Sequence, residues 1–89
     1  MKLNVIAKIE ILPKDINVNL ESIQDKIEGI VRNYGKVHKA EIKPIAFGLN
    51  SLNLTLLLSE SKGGIDKIEE EIKNLNEVGE VKVTDISLL

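Results

Sequence analysis

The sequence offers few side chains of the kinds that catalyse reactions or hold metals. His38 is its single histidine, and cysteine is absent. One imidazole can act as a general base, but no nucleophile near it lies in a recognisable motif. A metal site needs several ligands, and no group of His, Asp and Glu has metal-binding spacing. We therefore expect no enzymatic chemistry, no metal and no cofactor, with His38 a solvated side chain.

Two further patterns have both a functional and a structural interpretation. The run Glu69-Glu70-Glu71 can attract a basic partner, but consecutive charges on a helix are usually its solvated face. Gly63-Gly64 can cradle a phosphate ahead of a helix. It lacks the Lys-Ser/Thr of a P-loop and the third glycine of a dinucleotide-binding motif. We interpret the first pattern as a solvated helix face and the second as a flexible loop leading into a helix.

Composition restricts the partners and the cellular setting. The net charge of −2 lacks the basic excess of a phosphate-binding surface, and one Phe and one Tyr are too few to stack bases. Direct nucleic-acid binding is therefore disfavoured. No apolar run approaches the roughly 20 residues of a membrane span, and the N-terminus does not resemble a signal peptide. These features and the absence of cysteine favour a cytoplasmic protein that does not enter membranes.

The segment PIAFGL, residues 44–49, is apolar but does not fit a regular strand, because proline and glycine interrupt it. In one interpretation Phe47 fills the core beneath a loop. In the other, Pro44 fixes the chain direction and Gly48 lets the backbone turn or approach another surface. Phe47 is then an exposed anchor at the loop tip, where an aromatic side chain contributes strongly to binding. The residues alone leave both interpretations open.

Four strands and two helices must position this segment. Alternation of apolar and polar residues predicts strands near 2–12, 36–43, 51–58 and 79–87. Pro13 ends the first strand. The second is rich in lysine, which is typical of a sheet edge. Its alternation places Val37 on one face and His38, Ala40 and Ile42 on the other.

Apolar spacings of three and four predict helices near 19–33 and 64–75. Asn19 is placed to cap the first helix at its N-terminus. Gly35 is placed to end that helix in the left-handed conformation. The order β-α-β-β-α-β predicts an α+β, ferredoxin-like sandwich with two helices on one face of a four-stranded antiparallel sheet. The length of 89 residues fits a single domain over 1–89.

PIAFGL, followed by an aliphatic strand, resembles the signature of the guanine nucleotide exchange domain family of translation elongation factor 1-beta. Eukaryotic members have PIGFG or a close variant at this place. The resemblance covers the whole chain, including the first strand ending at Pro13 and the sequence Val83-Thr84-Asp85-Ile86. Eukaryotic members also carry a long N-terminal extension, so this chain resembles the short archaeal form.

The resemblance implies that the chain binds the GTPase elongation factor 1-alpha and promotes replacement of GDP by GTP during translation elongation, without chemistry of its own. We expect a monomer when free, and a tail, from Asp85 to Leu89, that docks on the GTPase beside the Phe47 loop. The alternative is that Ile86 and Leu88 finish the sheet and Leu89 is frayed. Eukaryotic members have a penultimate lysine that reaches toward Mg²⁺, and no lysine follows Lys82 here, so that role is not carried over. The partner-binding residues implied are Pro44, Ile45, Phe47, Gly48, Asp85, Ile86, Leu88 and Leu89.

An alternative is a regulatory module of the same topology that binds a small molecule, with dimerisation through its sheet edges. The scarcity of catalytic residues and the Gly63-Gly64 loop support it. The PIAFGL segment and the length of the chain favour the exchange factor.

Overall fold

The computed structural model describes residues 2–59 and 64–89. Its elements follow the predicted order, and their bounds differ from the predicted ones by a few residues at most. They are β1 (Val5–Pro13), α1 (Leu20–Val31), β2 (Gly35–Pro44), β3 (Asn50–Leu58), α2 (Ile65–Lys73) and β4 (Val78–Leu88). The strands form one antiparallel sheet in the order β2-β3-β1-β4. This is the ferredoxin-like fold that the sequence predicts.

One aliphatic core lies between the sheet and the two helices. Side chains of one parity on β1 and β3 face each other across the strand pair, as in the rows Ile9–Leu54 and Ile11–Leu52. The apolar stripes of α1 and α2 cover this face, and the opposite face of the sheet is open to solvent. The buried core consists of Ala7, Ile9, Ile11, Leu20, Ile23, Ile27, Val31, Leu52, Leu54, Leu56, Leu58, Ile68, Ile72 and Val81. No helix in the described ranges has the length and apolarity to cross a membrane.

The two ends of α1 differ in how well the sequence predicts them. Asn19 caps the helix as expected: its side-chain oxygen accepts hydrogen bonds from the backbone N–H groups of Glu21 at 2.9 Å and Ser22 at 3.4 Å. The prediction for Gly35 is wrong, because its φ is not positive and it begins β2. A Cβ at this position would lie 1.9 Å from the carbonyl oxygen of Leu57. Glycine is required there by close strand contact and not by helix termination.

Both edge strands contain a β-bulge that alternation alone does not reveal. In β2 the pairing passes from Val37–Leu56 directly to Lys39–Thr55, so His38 is the extra residue. Val37 therefore shares the helix-covered face with Ala40 and Ile42, and its predicted separation from them is wrong. An inserted residue reverses which parity faces the core.

The bulge in β4 lies at nearly the same level of the sheet. Asp85 pairs with Lys8 and Val83 with Ile9, which leaves Thr84 as the extra residue. The Thr84 hydroxyl donates a hydrogen bond to the Lys8 carbonyl oxygen at 3.1 Å. Between Glu80 and Val83 the odd-numbered residues of β4 face the helices, and after Thr84 the even-numbered residues do. A second register shift, at Gly79, separates Val78 from this pattern.

Candidate functional site

The PIAFGL segment forms the turn between β2 and β3. The N–H of Leu49 donates to the carbonyl of Ala46 at 2.9 Å, and the N–H of Ile45 donates to the carbonyl of Leu49 at 2.8 Å. The two residues at the centre of this turn, Phe47 and Gly48, have φ values of +53° and +80°. Positive φ at both central positions is the signature of a type I′ turn, which suits a tight connection between antiparallel strands. Phe47 therefore stands at the outermost point of the hairpin.

Phe47 is 97% exposed. The interpretation that places it in the core is therefore excluded, and the interpretation as an exposed side chain at one end of the sandwich is confirmed. Ile45 in the same turn is 52% exposed, and Ile16, in the loop between β1 and α1, is 61% exposed. The Cγ2 atom of Ile16 lies 3.9 Å from the position that a Cβ on Gly48 would take. Ile16, Ile45 and Phe47 thus form an exposed apolar group, referred to below as the apolar tip.

Ile16 was not among the residues that the sequence singled out. An apolar side chain within a polar loop is a weak signal, and its proximity to Gly48 depends on how the β1–α1 loop folds against the hairpin. The structure brings the two loops together because the end of β1 and the end of β2 lie at the same end of the sheet.

The backbone of Phe47 is strained. It is the one residue other than glycine with positive φ in the part of the chain that the structure describes. Left-handed backbone costs a bulky residue about 1–3 kcal/mol, whereas Asn-Gly is favoured in a type I′ turn. Since the side chain is exposed, burial within the domain does not offset this cost. Such strain is typical of positions that contact ligands or partners.

The second set of candidate residues forms the tail, residues 85–89. Ile86 pairs with Ala7 and Leu88 with Val5 along β1, and the N–H of Leu89 donates to the carbonyl of Asn4 at 2.8 Å. The backbone is therefore ordered by the sheet. The side chains of Ile86, Leu88 and Leu89 are nevertheless 50%, 70% and 68% exposed. Apolar residues at an uncovered strand edge are candidates for contact with another protein.

The expectation that the tail lies beside the Phe47 loop is wrong. Leu88, Val5 and Leu58 share a row at one end of the sheet, whereas Leu52 lies in the row near the hairpin. Leu52 and Leu58 are six residues apart on β3, which corresponds to about 20 Å of strand. Because β4 runs antiparallel to β1, it must end where β1 begins, away from the hairpin. The apolar tip and the tail therefore lie at opposite ends of a molecule 39 Å long.

The ion pairs found among the described residues lie outside the PIAFGL segment and outside the tail. A hydrogen bond from Lys39, and the positive charges of Lys39 and Lys43, lower the pKa of Glu41. A hydrogen bond from Lys26 lowers the pKa of Glu77 and joins α1 to the loop before β4. Within residues 2–59 and 64–89, no group of three or more His, Asp or Glu side chains has the geometry to hold a metal ion.

The other sequence patterns occupy ordinary structural positions. His38 is exposed on edge strand β2, and the run from Glu69 to Glu71 lies on the outer side of α2. Gly63 lies outside the described residues. Gly64 has φ of +104° and begins α2, and a Cβ there would lie 2.4 Å from the ring of Tyr34. The space above Gly64 is thus filled by a ring, which does not favour a phosphate site.

The open face of the sheet carries a hollow of about 320 Å³, a volume at the lower limit for small-molecule sites. Its lining is dominated by charged and hydroxyl side chains, including Lys8, His38, Lys39, Glu41 and Thr55. Small-molecule sites are mostly apolar with a few polar groups, so this hollow does not favour the regulatory-module alternative.

Comparison with known proteins gives one consistent result. Residues 6–89 match the model of the family described as the EF-1 guanine nucleotide exchange domain. A protein of Methanobrevibacter smithii named elongation factor 1-beta is 36% identical over 91% of both chains. A protein of the same name from Methanococcus vannielii is 34% identical, over 96% of this chain and 97% of the relative.

A solved structure, the ACT domain from the GTP pyrophosphokinase of Chlorobium tepidum, has a similar fold. Its TM-score is 0.60 at 15% sequence identity, with 90% of this chain and 97% of that chain covered. At this identity the likeness concerns the fold alone.

Proposed function

The chain belongs to the family of EF-1 guanine nucleotide exchange domains, and on that premise we propose that residues 1–89 are one domain that exchanges GDP for GTP on elongation factor 1-alpha. Its setting is the cytoplasm, where this GTPase acts in translation elongation. The chain acts by binding and supplies no chemistry. Neither nucleic acid nor a membrane takes part in its contact with the GTPase.

The exchange follows from a difference in affinity. A factor that binds the nucleotide-free GTPase more tightly than the GDP-bound GTPase must, by thermodynamic linkage, lower the affinity for GDP by the same ratio. Each tenfold reduction requires about 1.4 kcal/mol of additional binding to the nucleotide-free state. Binding of GTP then releases the factor, because the same linkage operates in reverse.

The observation that carries the proposal is the presentation of Phe47. A nearly fully exposed aromatic side chain stands on a turn closed by two backbone hydrogen bonds, in a backbone conformation that costs stability. Burial of a Phe side chain contributes about 1.5–3 kcal/mol. Because the turn is already ordered, little conformational entropy is lost on binding. Pro44, Ile45, Phe47 and Gly48 thus have the properties of an anchor that enters an apolar pocket of the GTPase.

The tail is a second proposed contact, through Asp85, Ile86, Leu88 and Leu89. Since the tail and the apolar tip lie at opposite ends of the molecule, a GTPase that contacts both must do so through two separate surfaces. The two contacts then contribute independently, and variants at the two ends should have additive effects on binding.

The experiment is release of labelled GDP from elongation factor 1-alpha, with and without this chain. Phe47→Ala tests the anchor. Ile42→Ala is the matched control, because Ile42 is a half-exposed apolar residue of edge strand β2 that lies beside the hairpin but outside the turn of residues 44–49. We expect the wild type and Ile42→Ala to accelerate release equally and Phe47→Ala to be much weaker. Equal rates for all three proteins would contradict the proposed role of Phe47.

A further inference from the structure

The two edges of the sheet differ in the charge of their open-face side chains. On β2, Lys36, Lys39 and Lys43 project from the open face and outnumber Glu41 there. An excess of lysine along an edge opposes pairing with another strand. Strand β2 therefore resists association with a second sheet.

Strand β4 lacks this one-sided charge. On its open face it presents Glu80, Lys82 and Asp85, which differ in sign. On its helix-covered face it presents Ile86 and Leu88, both half or more exposed. No described strand pairs with the outer side of β4. A long edge with exposed apolar residues and charges of both signs is suited to strand addition.

We propose that two copies of this chain pair antiparallel through β4, around a two-fold axis between Val83 and Thr84. In this register Lys82 faces Asp85 of the second copy, and the two-fold axis repeats the contact, giving two opposite-charge pairs on the open face. Val81 faces Ile86 of the second copy on the other face, again twice. The surface is thus complementary to itself, as a two-fold interface requires.

The bulge at Thr84 is what makes this register self-consistent. It reverses the parity of β4, so residues 80–82 of one copy and 85–87 of the other match face for face. A slip of one residue would oppose helix-side and open-side positions. A slip of two residues in one direction would place Glu80 opposite Asp85, and in the other direction would place Lys82 opposite Ser87. Both slips lose the two charge pairs.

The association is expected to be weak. Pairing over residues 80–87 is expected to bury less surface than the roughly 1,200–2,000 Å² of stable interfaces, so the dimer should form only at high concentrations of the chain. On this proposal, the expectation of a free monomer applies to dilute protein. The same strand supplies the proposed tail contact, so, on that part of the proposed function, self-pairing and GTPase binding exclude each other.

The test is sedimentation equilibrium of the full chain between about 0.02 and 2 mM at low salt, a range set by the weak interface expected. Wild-type mass should rise toward twice the monomer value with concentration. Lys82→Glu gives two like-charge pairs, and so does Asp85→Lys, so each alone should dimerise at least about tenfold more weakly. An equimolar mixture of the two variants restores both opposite-charge pairs and should recover the dimer.

Arg32→Glu and Asp25→Lys are the controls, since both reverse exposed charges on or next to α1, outside β2 and β4, and should leave the concentration dependence of the mass as in the wild type. Circular dichroism checks that all variants are folded. The proposal is overturned if the wild type stays monomeric at 2 mM, if the mixture does not recover, or if the controls weaken association equally. If the wild type stays monomeric and Lys82→Glu slows GDP release, the β4 edge contacts the GTPase and not a second copy of the chain. Phe47→Ala should self-associate as the wild type does, whether or not the proposed exchange function is correct.

Discussion

Replacing Phe47 by asparagine separates the contribution of this residue to the fold from its contribution to binding. Phe47 is 97% exposed, so its removal loses almost no burial within the domain. Its φ of +53° is unfavourable for a bulky residue, whereas asparagine adopts this conformation readily and Asn-Gly is a preferred type I′ pair. We therefore expect Phe47→Asn to be more stable than the wild type.

The expected gain in stability comes from relief of the backbone strain at Phe47. A left-handed bulky residue costs about 1–3 kcal/mol, and relief of the lower part of that range gives about 1 kcal/mol. For a domain of this size, 1 kcal/mol raises Tm by roughly 4–8 °C. The same variant removes the proposed anchor, whose burial contributes about 1.5–3 kcal/mol, so exchange should slow by roughly 10- to 150-fold.

Thermal unfolding and release of labelled GDP measure the two effects on the same preparations. Phe47→Ala is the control: alanine keeps the left-handed strain, so its stability should stay near that of the wild type while exchange is lost. A loss of about 3–5 kcal/mol in either variant, as for a buried Phe, would refute the assignment of Phe47 to the surface. Undiminished exchange by the more stable asparagine variant would refute its role as an anchor.

Three further predictions concern the rest of the molecule. Deleting residues 87–89 should leave a folded protein that releases GDP more slowly, as measured by circular dichroism and the exchange assay; full activity would exclude the tail contact. Gly35→Ala should be destabilised in urea unfolding, since its Cβ would lie 1.9 Å from the Leu57 carbonyl oxygen. Because Lys26 lowers the pKa of Glu77, this pair stabilises the fold above the unfolded carboxyl pKa and loses its effect as pH falls through the lower, folded pKa. The free energy of unfolding, measured by urea titration at pH values from 7 to about 3, should therefore fall less steeply with acid in Glu77→Gln than in the wild type.

The sequence predicted the fold because its local signals agree with one another. Alternating β-branched residues, two apolar helical stripes and the Asn19 cap each specify one element, and their order leaves few topologies. The structural role of Gly35 was mispredicted, because a glycine that ends a helix and a glycine that makes room for a neighbouring carbonyl group look alike in sequence. The bulges at His38 and Thr84 were missed because an inserted residue depends on pairing between distant strands.

The candidate site was predicted in part. The exposure of Phe47 was one of two interpretations, because an apolar residue in a loop can turn inward or outward, and only the turn geometry decides. Ile16 was missed because its neighbour in space, Gly48, is far away in sequence. The tail and the hairpin are separated because β4 ends where β1 begins. The predicted topology already implied this strand direction, so the expectation that the tail lies beside the hairpin was inconsistent with it.

The most direct test of the account is the rate of GDP release from elongation factor 1-alpha at increasing concentrations of this chain, with excess GTP present. We expect the rate to rise with chain concentration to a plateau, and substoichiometric chain to release GDP from many GTPase molecules. Phe47→Ala should have a greatly reduced effect at every concentration. A release rate that is unchanged at saturating wild-type chain would contradict the exchange function itself.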